Sequence, residues 1–224
     1  MNTIKQPIPK THFKELAGPA LLQSRKEIDQ YIADNNIQLL IFDCDETLVD
    51  TLGWHYESWH DAYNEFNAKF ISKIDFLEHF AGTSGHEMVT YLNKSSNEII
   101  DVKKVSQLKH KIFFEKYIQQ VKPIKPVLDI VNYYHKAGLK LVVASGSHRV
   151  SVKNVLTHNN LWDLFTDIIT IEEVKHGKPS PELFQLVANR NNIPYHNCLV
   201  FEDTEPGFVA AKRANMEFVD IRFL

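Results

Sequence analysis

Ile37-Gln38-Leu39-Leu40-Ile41-Phe42-Asp43-Cys44-Asp45-Glu46-Thr47 is the stretch on which the fold turns. Its first half is almost continuously apolar. A strand with no polar face belongs in a parallel sheet covered by helices on both sides. The spacing therefore predicts a buried strand over 37–43. The run then changes abruptly into acids and a threonine, at the place where a parallel strand delivers its carboxyl end.

Reading outward from this strand, residues 53–121 show helical patterns and no strand. Helices are predicted over 54–68, 75–80, 86–92 and 97–120, with Gly82, Thr83, Ser84 and Gly85 separating the second from the third. From Pro123 strands and helices alternate. Helices are expected over 127–136, 148–158, 181–191 and 206–214, and strands over 140–144, 167–170, 198–201 and 217–220. Gly138 ends the first of these helices. Repeated strand–helix units predict an α/β fold with a doubly wound, Rossmann-like parallel sheet. The helical block interrupts the sheet after its first strand and reads as an inserted cap. Upstream, residues 20–35 carry Leu21, Leu22, Arg25, Ile28 and Ile32 near helical spacing, as in a helix packed on the core. The expected organisation is an N-terminal helical extension over 1–36, a core made of 37–52 and 122–224, and a helical cap over 53–121.

The chain has 224 residues, 44% of them hydrophobic and 24% charged, and a net charge of −3. This balance excludes a disordered or fibrous chain. It supplies no basic field for nucleic acid or for an anionic membrane. The longest apolar runs fall far short of the roughly 20 residues of a membrane span. The two cysteines, Cys44 and Cys198, form neither a disulfide framework nor a metal-spaced cluster. The N-terminus has no secretory pattern. Together these features predict a cytoplasmic protein.

Ligands of open parallel sheets bind beyond the carboxyl ends of the strands. Here those ends read Asp43-Cys44-Asp45-Glu46-Thr47, Ser145-Gly146-Ser147 and Glu202-Asp203-Thr204, and the remaining strand is followed by Gly177-Lys178-Pro179. Asp43 and Asp45 project to one side of an extended chain. Gathering such carboxylates is costly unless a cation or a proton relieves them. A hard divalent cation with oxygen ligands does so, and Mg²⁺ fits best because it leaves room for water and substrate phosphate. The serine–glycine turn offers a hydroxyl and N–H groups to an anion, and Ser147 could cap the next helix. Lys178 sits in a proline-stiffened loop where Ser180 and Pro181 suit the N-cap and first helical positions.

Four ordered segments carry a resemblance. Ile41-Phe42-Asp43-Cys44-Asp45-Glu46-Thr47-Leu48, Val142-Val143-Ala144-Ser145-Gly146-Ser147, Gly177-Lys178-Pro179-Ser180-Pro181-Glu182-Leu183-Phe184 and Val200-Phe201-Glu202-Asp203-Thr204-Glu205-Pro206-Gly207 resemble the four motifs of the haloacid dehalogenase superfamily. The helical block is similar to its helical-cap branch. Within that branch the chain resembles the beta-phosphoglucomutase-like group, particularly its fructose-1-phosphatase-like sugar phosphatases. One departure is Glu46, where the family usually has glycine.

The resemblance implies an Mg²⁺-dependent phosphatase acting on a small phosphorylated metabolite such as a sugar phosphate. Asp43 would be the nucleophile that forms an aspartyl-phosphate, and Asp45 the acid and base. Thr47 would orient the loop, and Ser145, Gly146 and Lys178 would hold the phosphoryl oxygens. Asp43, the Asp45 main-chain carbonyl, Asp203 and Glu202 would hold the metal. His55 lies in the expected hinge, and Gly82 in the cap turn that faces the sugar. The mutases carry an arginine three positions after that glycine to grip a second phosphate. Here the position is Gly85, which favours hydrolysis over the alternative, a beta-phosphoglucomutase-like isomerase. Metal-free dehalogenation is disfavoured by Asp45. A non-catalytic phospho-acceptor module is disfavoured by the cap. A monomer or weak homodimer is expected.

Overall fold

The computed structural model describes Leu22, residues 24–94 and residues 99–224. In chain order the elements are α1 (Arg25–Asp34), β1 (Leu39–Phe42), β2 (Val49–Asp50), α2 (Leu52–Glu65), α3 (Lys73–His79), α4 (Gly85–Lys94) and α5 (Val102–Ile112). They continue with β3 (Lys122–Pro123), α6 (Lys125–Lys136), β4 (Lys140–Ser145), α7 (Arg149–His158), β5 (Asp167–Thr170), α8 (Glu182–Asn191), β6 (Cys198–Glu202), α9 (Glu205–Arg213) and β7 (Glu217–Asp220). The described residues form two compact units. One is Thr51–Val121; the other joins the residues up to Asp50 with those from Lys122 onward.

The second unit is the expected doubly wound sheet, in the order β5-β4-β1-β6-β7. β1 is central and parallel to both neighbours, with Phe42 opposite Val143 on one side and Phe201 on the other. All four β1 residues are fully buried, as the apolar run requires. One face of the sheet packs Ile41, Val142 and Val200 against Leu183, Phe184 and Val187 of α8 and Phe208 of α9. This register brings the ends of β1, β4 and β6 level, so Asp43, Ser145 and Glu202 emerge at one edge. Gly138 adopts φ of 77°, the left-handed turn that releases the chain from α6.

The predicted helix over 20–35 is described as α1, capped by the Ser24 hydroxyl on the Glu27 N–H. Residues 20, 21 and 23 of that expectation lie outside the described residues. Leu22 is buried and bridges Val219 of β7 in parallel. α1 buries Ile28 completely, and its Asp29 accepts hydrogen bonds from the Arg25 guanidinium and the Tyr134 hydroxyl.

The first unit has its own core of Trp59, Tyr63, Phe70, Phe76, Phe80, Met88 and Val105. The single helix expected over 97–120 is corrected. α5 ends at Ile112 and continues as a π-helical turn over Phe113–Tyr117 and a 3₁₀ turn over Ile118–Gln120. The wider turn accompanies convergence of Lys116 and Tyr117 on Asp61 of α2. Residues 97 and 98 are outside the described residues. Sequence reading also missed β2 and β3, which pair antiparallel where the chain leaves and re-enters the sheet unit.

Candidate active site

Asp43 ends β1 and is buried, with its N–H bonded to the Phe201 carbonyl at 3.0 Å. Lys178 reaches its Oδ1 at 2.6 Å and also bonds Glu202 Oε1. The ammonium also lies 5.3 Å from the Phe184 ring centroid of α8, within cation–π range. Thr47 is fully buried and donates to Asp203 Oδ1 at 2.9 Å, tying the loop after β1 to the loop after β6. Sequence reading gave these residues to one site, and the sheet unit brings them together.

Burial is the main electrostatic force on the group. It pushes the Asp43 carboxyl up to about 7 against the pull of Lys178, with Glu202 and Asp45 raising it further. Burial, then Glu202 and Asp43, push Asp203 up to about 8. Lys178 is raised as well: burial disfavours its charge, but Asp43 and Glu202 outweigh that cost. Lys178 bonds two of these carboxyls, and Asp203 is raised by the same two neighbours. An added cation with oxygen ligands would relieve this crowding of acids.

The metal set that the resemblance implies is Asp43, the Asp45 main-chain carbonyl, Glu202 and Asp203. Among the described residues no three His, Cys, Asp or Glu side chains form a ready-made metal cage. Glu202 explains part of this. Its Oε1 takes Lys178, and its Oε2 accepts from the Asp203 N–H, the Thr204 N–H and the Thr204 hydroxyl at 2.7–2.9 Å. It is fully buried and anchors the loop from within. Gly207 makes that possible, because a Cβ there would lie 2.0 Å from the Glu202 carboxyl carbon. The Asp45 carboxylate is engaged too, accepting the Ser147 hydroxyl at Oδ2 at 2.6 Å. The carboxylates of Asp43 and Asp203 and the main chain at Asp45 still fit Mg²⁺, which commonly takes one or two carboxylates and fills its other positions with water and phosphate.

Ser145 is buried at the end of β4, and its Oγ accepts the Ser147 N–H at 3.0 Å. Gly146 is exposed, with nothing within 4 Å of where a Cβ would stand. The capping reading of Ser147 is corrected: the N-cap of α7 is His148, whose side chain does not cap the helix. The Ser180–Pro181 reading shifts by one, since Pro181 is the N-cap and α8 starts at Glu182. Glu46 has φ of 60° and donates its N–H to the Val49 carbonyl at 2.8 Å, so a charged residue occupies a conformation that favours glycine.

His55 and Gly82 belong to the helical unit. His55 Nδ1 is 3.0 Å from Lys109 Nζ, and its ring is 4.6 Å from Phe113. Lys109 is only 5% exposed and was missed. The signal was available: Val105, Lys109 and Phe113 follow one helical stripe, with a lysine in its middle. Gly82 has φ of 76° in the turn after α3. Gly85 opens α4 against Trp59, and a Cβ there would lie 2.5 Å from the indole. Trp59 is a core residue, whereas Trp54 is half-buried and stacks on Tyr117 at 5.9 Å.

Comparison with known proteins agrees with this architecture. The family described as haloacid dehalogenase-like hydrolase matches residues 40–221. The fructose-1-phosphate phosphatase YqaB of Escherichia coli K12 is 28% identical, over 83% of this chain and 96% of its own. A phosphorylated carbohydrates phosphatase of Thermotoga maritima is 26% identical, over 81% of this chain and 83% of its own. The crystal structure of CbbY from Rhodobacter sphaeroides in complex with phosphate superposes with a TM-score of 0.74 at 20% identity, covering 81% of this chain and 84% of that one. With its motifs gathered at the carboxyl edge of a matching sheet, this chain belongs to the haloacid dehalogenase-like hydrolases.

Proposed function

We propose that the protein is an Mg²⁺-dependent phosphatase that hydrolyses a small sugar phosphate through an aspartyl-phosphate on Asp43. The observation that carries this reading is the buried Asp43 carboxylate, held at 2.6 Å by Lys178 at the end of the central strand, two residues before the acid–base candidate Asp45. The names of the E. coli and T. maritima relatives support the sugar-phosphate class.

In this reading Asp43 attacks phosphorus and Asp45 protonates the departing sugar alkoxide. Water then attacks the aspartyl-phosphate while Asp45 takes its proton. Such acid–base help is typically worth about 10²–10⁴-fold. Lys178 stays bonded to the nucleophile and faces the phosphoryl oxygens as a fixed positive charge. The Ser145 hydroxyl and the Gly146 main chain supply further donors. Mg²⁺, held by Asp43, Asp203 and the Asp45 carbonyl, would neutralise phosphoryl charge; Glu202 serves as the anchor of Lys178. Positioning and charge neutralisation are what phosphoryl transfer chiefly requires.

Hydrolysis is favoured over isomerisation because Gly85 is packed on Trp59, leaving no room there for the phosphate-gripping arginine of the mutases. We assign the choice of sugar to the helical unit, with His55 and the turn around Gly82 as candidate substrate contacts. Among the described residues no helix is long and apolar enough to cross a membrane. Both cysteines are free and buried, which suits a cytoplasmic setting; the assembly proposed is a monomer or weak homodimer.

Free-phosphate release across a panel of sugar phosphates, with and without Mg²⁺, tests the proposal. Metal-dependent release from sugar monophosphates is expected. Conversion of one sugar phosphate to its isomer with a bisphosphate activator and little free phosphate would replace it with the mutase reading.

A further inference from the structure

We infer that Ser147 is a positioning residue that holds the Asp45 carboxylate in line to protonate the leaving group. The inference rests on the phosphatase reading above and deepens it. Its basis is the 2.6 Å bond from the Ser147 hydroxyl to Asp45 Oδ2.

Two further features make this bond part of a built arrangement. The Ser147 N–H is fixed on the Ser145 hydroxyl at 3.0 Å, so its main chain is tied to the buried end of β4. The hydroxyl is also not required where sequence reading placed it. The N-terminus of α7 is served instead by the Glu172 carboxylate, which accepts the Arg149 N–H at 3.1 Å and the His148 ring at 3.0 Å. Ser147 is thus released from capping and aimed across the strand ends at Asp45.

The chemistry suits a serine. A hydroxyl can donate to a carboxylate and, by rotating, accept from a carboxylic acid. One residue can therefore stay bonded to Asp45 before and after it gives up its proton. Without that bond the carboxyl loses its anchor on the end of β4, and small misplacements of a catalytic group cost on the order of 10²-fold.

The test uses the leaving group as its reporter. kcat/KM isolates phosphoryl transfer to Asp43, the step in which Asp45 acts as acid. A sugar alkoxide needs that proton; p-nitrophenolate does not. Native protein, Ser147→Ala and Ser147→Thr are compared on a sugar monophosphate and on p-nitrophenyl phosphate, with circular dichroism to verify folding. Ser147→Ala is expected to lower kcat/KM for the sugar phosphate by about 10- to 100-fold and for p-nitrophenyl phosphate by less than about 3-fold. Ser147→Thr, which keeps the hydroxyl, is expected to recover most of the loss. Equal loss on both substrates, or an unchanged or higher value in Ser147→Ala, overturns the positioning role while leaving the phosphatase reading intact. If the native protein releases phosphate from neither ester with Mg²⁺ present, the phosphatase reading falls and this inference with it.

Discussion

Gly207 and Glu202 compete for one space. A Cβ at position 207 would lie 2.0 Å from the Glu202 carboxyl carbon, which is itself locked by Lys178 and three donors of the 203–204 loop. Gly207→Ala must therefore displace a buried carboxylate. It is expected to cost about 1–3 kcal/mol in urea denaturation, the usual range for overpacking, and to lower turnover through Lys178. Asp43→Asn changes little in shape but removes the nucleophile. Steady-state assays of the folded variant should show a loss of at least about 10³-fold. Glu46 holds φ of 60°, a conformation costing a side chain roughly 1–2 kcal/mol. Glu46→Gly is expected to raise the thermal midpoint by a few degrees in calorimetry. At this scale Asp43, Thr47, Lys178 and Asp203 could be read from the sequence, because each stands at a strand end or in a stiffened loop. The work of Glu202 and Ser147 could not, since it depends on which atoms of a crowded site reach each other.

Among the elements, α7 shows how a distant carboxylate finishes a helix. Glu172 lies 3.1 Å from the Arg149 N–H. Partial burial opposes its charge, yet hydrogen bonds, among them those from Arg149 and His148, bring its pKa down to about 2 from an ordinary 4.5. A carboxyl lowered on folding adds stability at and above its unfolded pKa, and that stability is lost as pH falls through the folded value. Glu172→Gln should therefore lower the melting temperature near pH 7 by about 1–2 °C, a small effect because the side chain is 44% exposed. The gap between variant and native protein should close between pH 4.5 and 2. The long strands and amphipathic helices were visible as period and punctuation. β2 and β3 have two residues each and too little pattern to see. The π-helical turn at Phe113–Tyr117 keeps helical spacing in sequence, so only the packing around Asp61 distinguishes it.

The whole molecule divides its apolar residues between two cores, one in the sheet unit and one in the helical unit. Phe76→Ala should remove about 3–5 kcal/mol from the helical core, and hydrogen exchange should rise within 51–121 while the sheet amides stay protected. Chelation with EDTA should silence phosphate release and Mg²⁺ restore it, while Ca²⁺, which prefers more ligands at longer distances, restores little. Asp203→Ala should raise the Mg²⁺ concentration for half-maximal rate. The pairing of Asp50 with Lys122 has one more consequence. It sets the ends of the 51–121 excursion side by side, so a tether of a few residues could bridge them without strain. Shortening the closed loop to that length spans about four halvings, a gain of roughly 2.5 kcal/mol in closure entropy. The excursion is therefore expected to be exchangeable: with residues 51–121 replaced by a short linker at the same two residues, the sheet unit should still unfold cooperatively in circular dichroism.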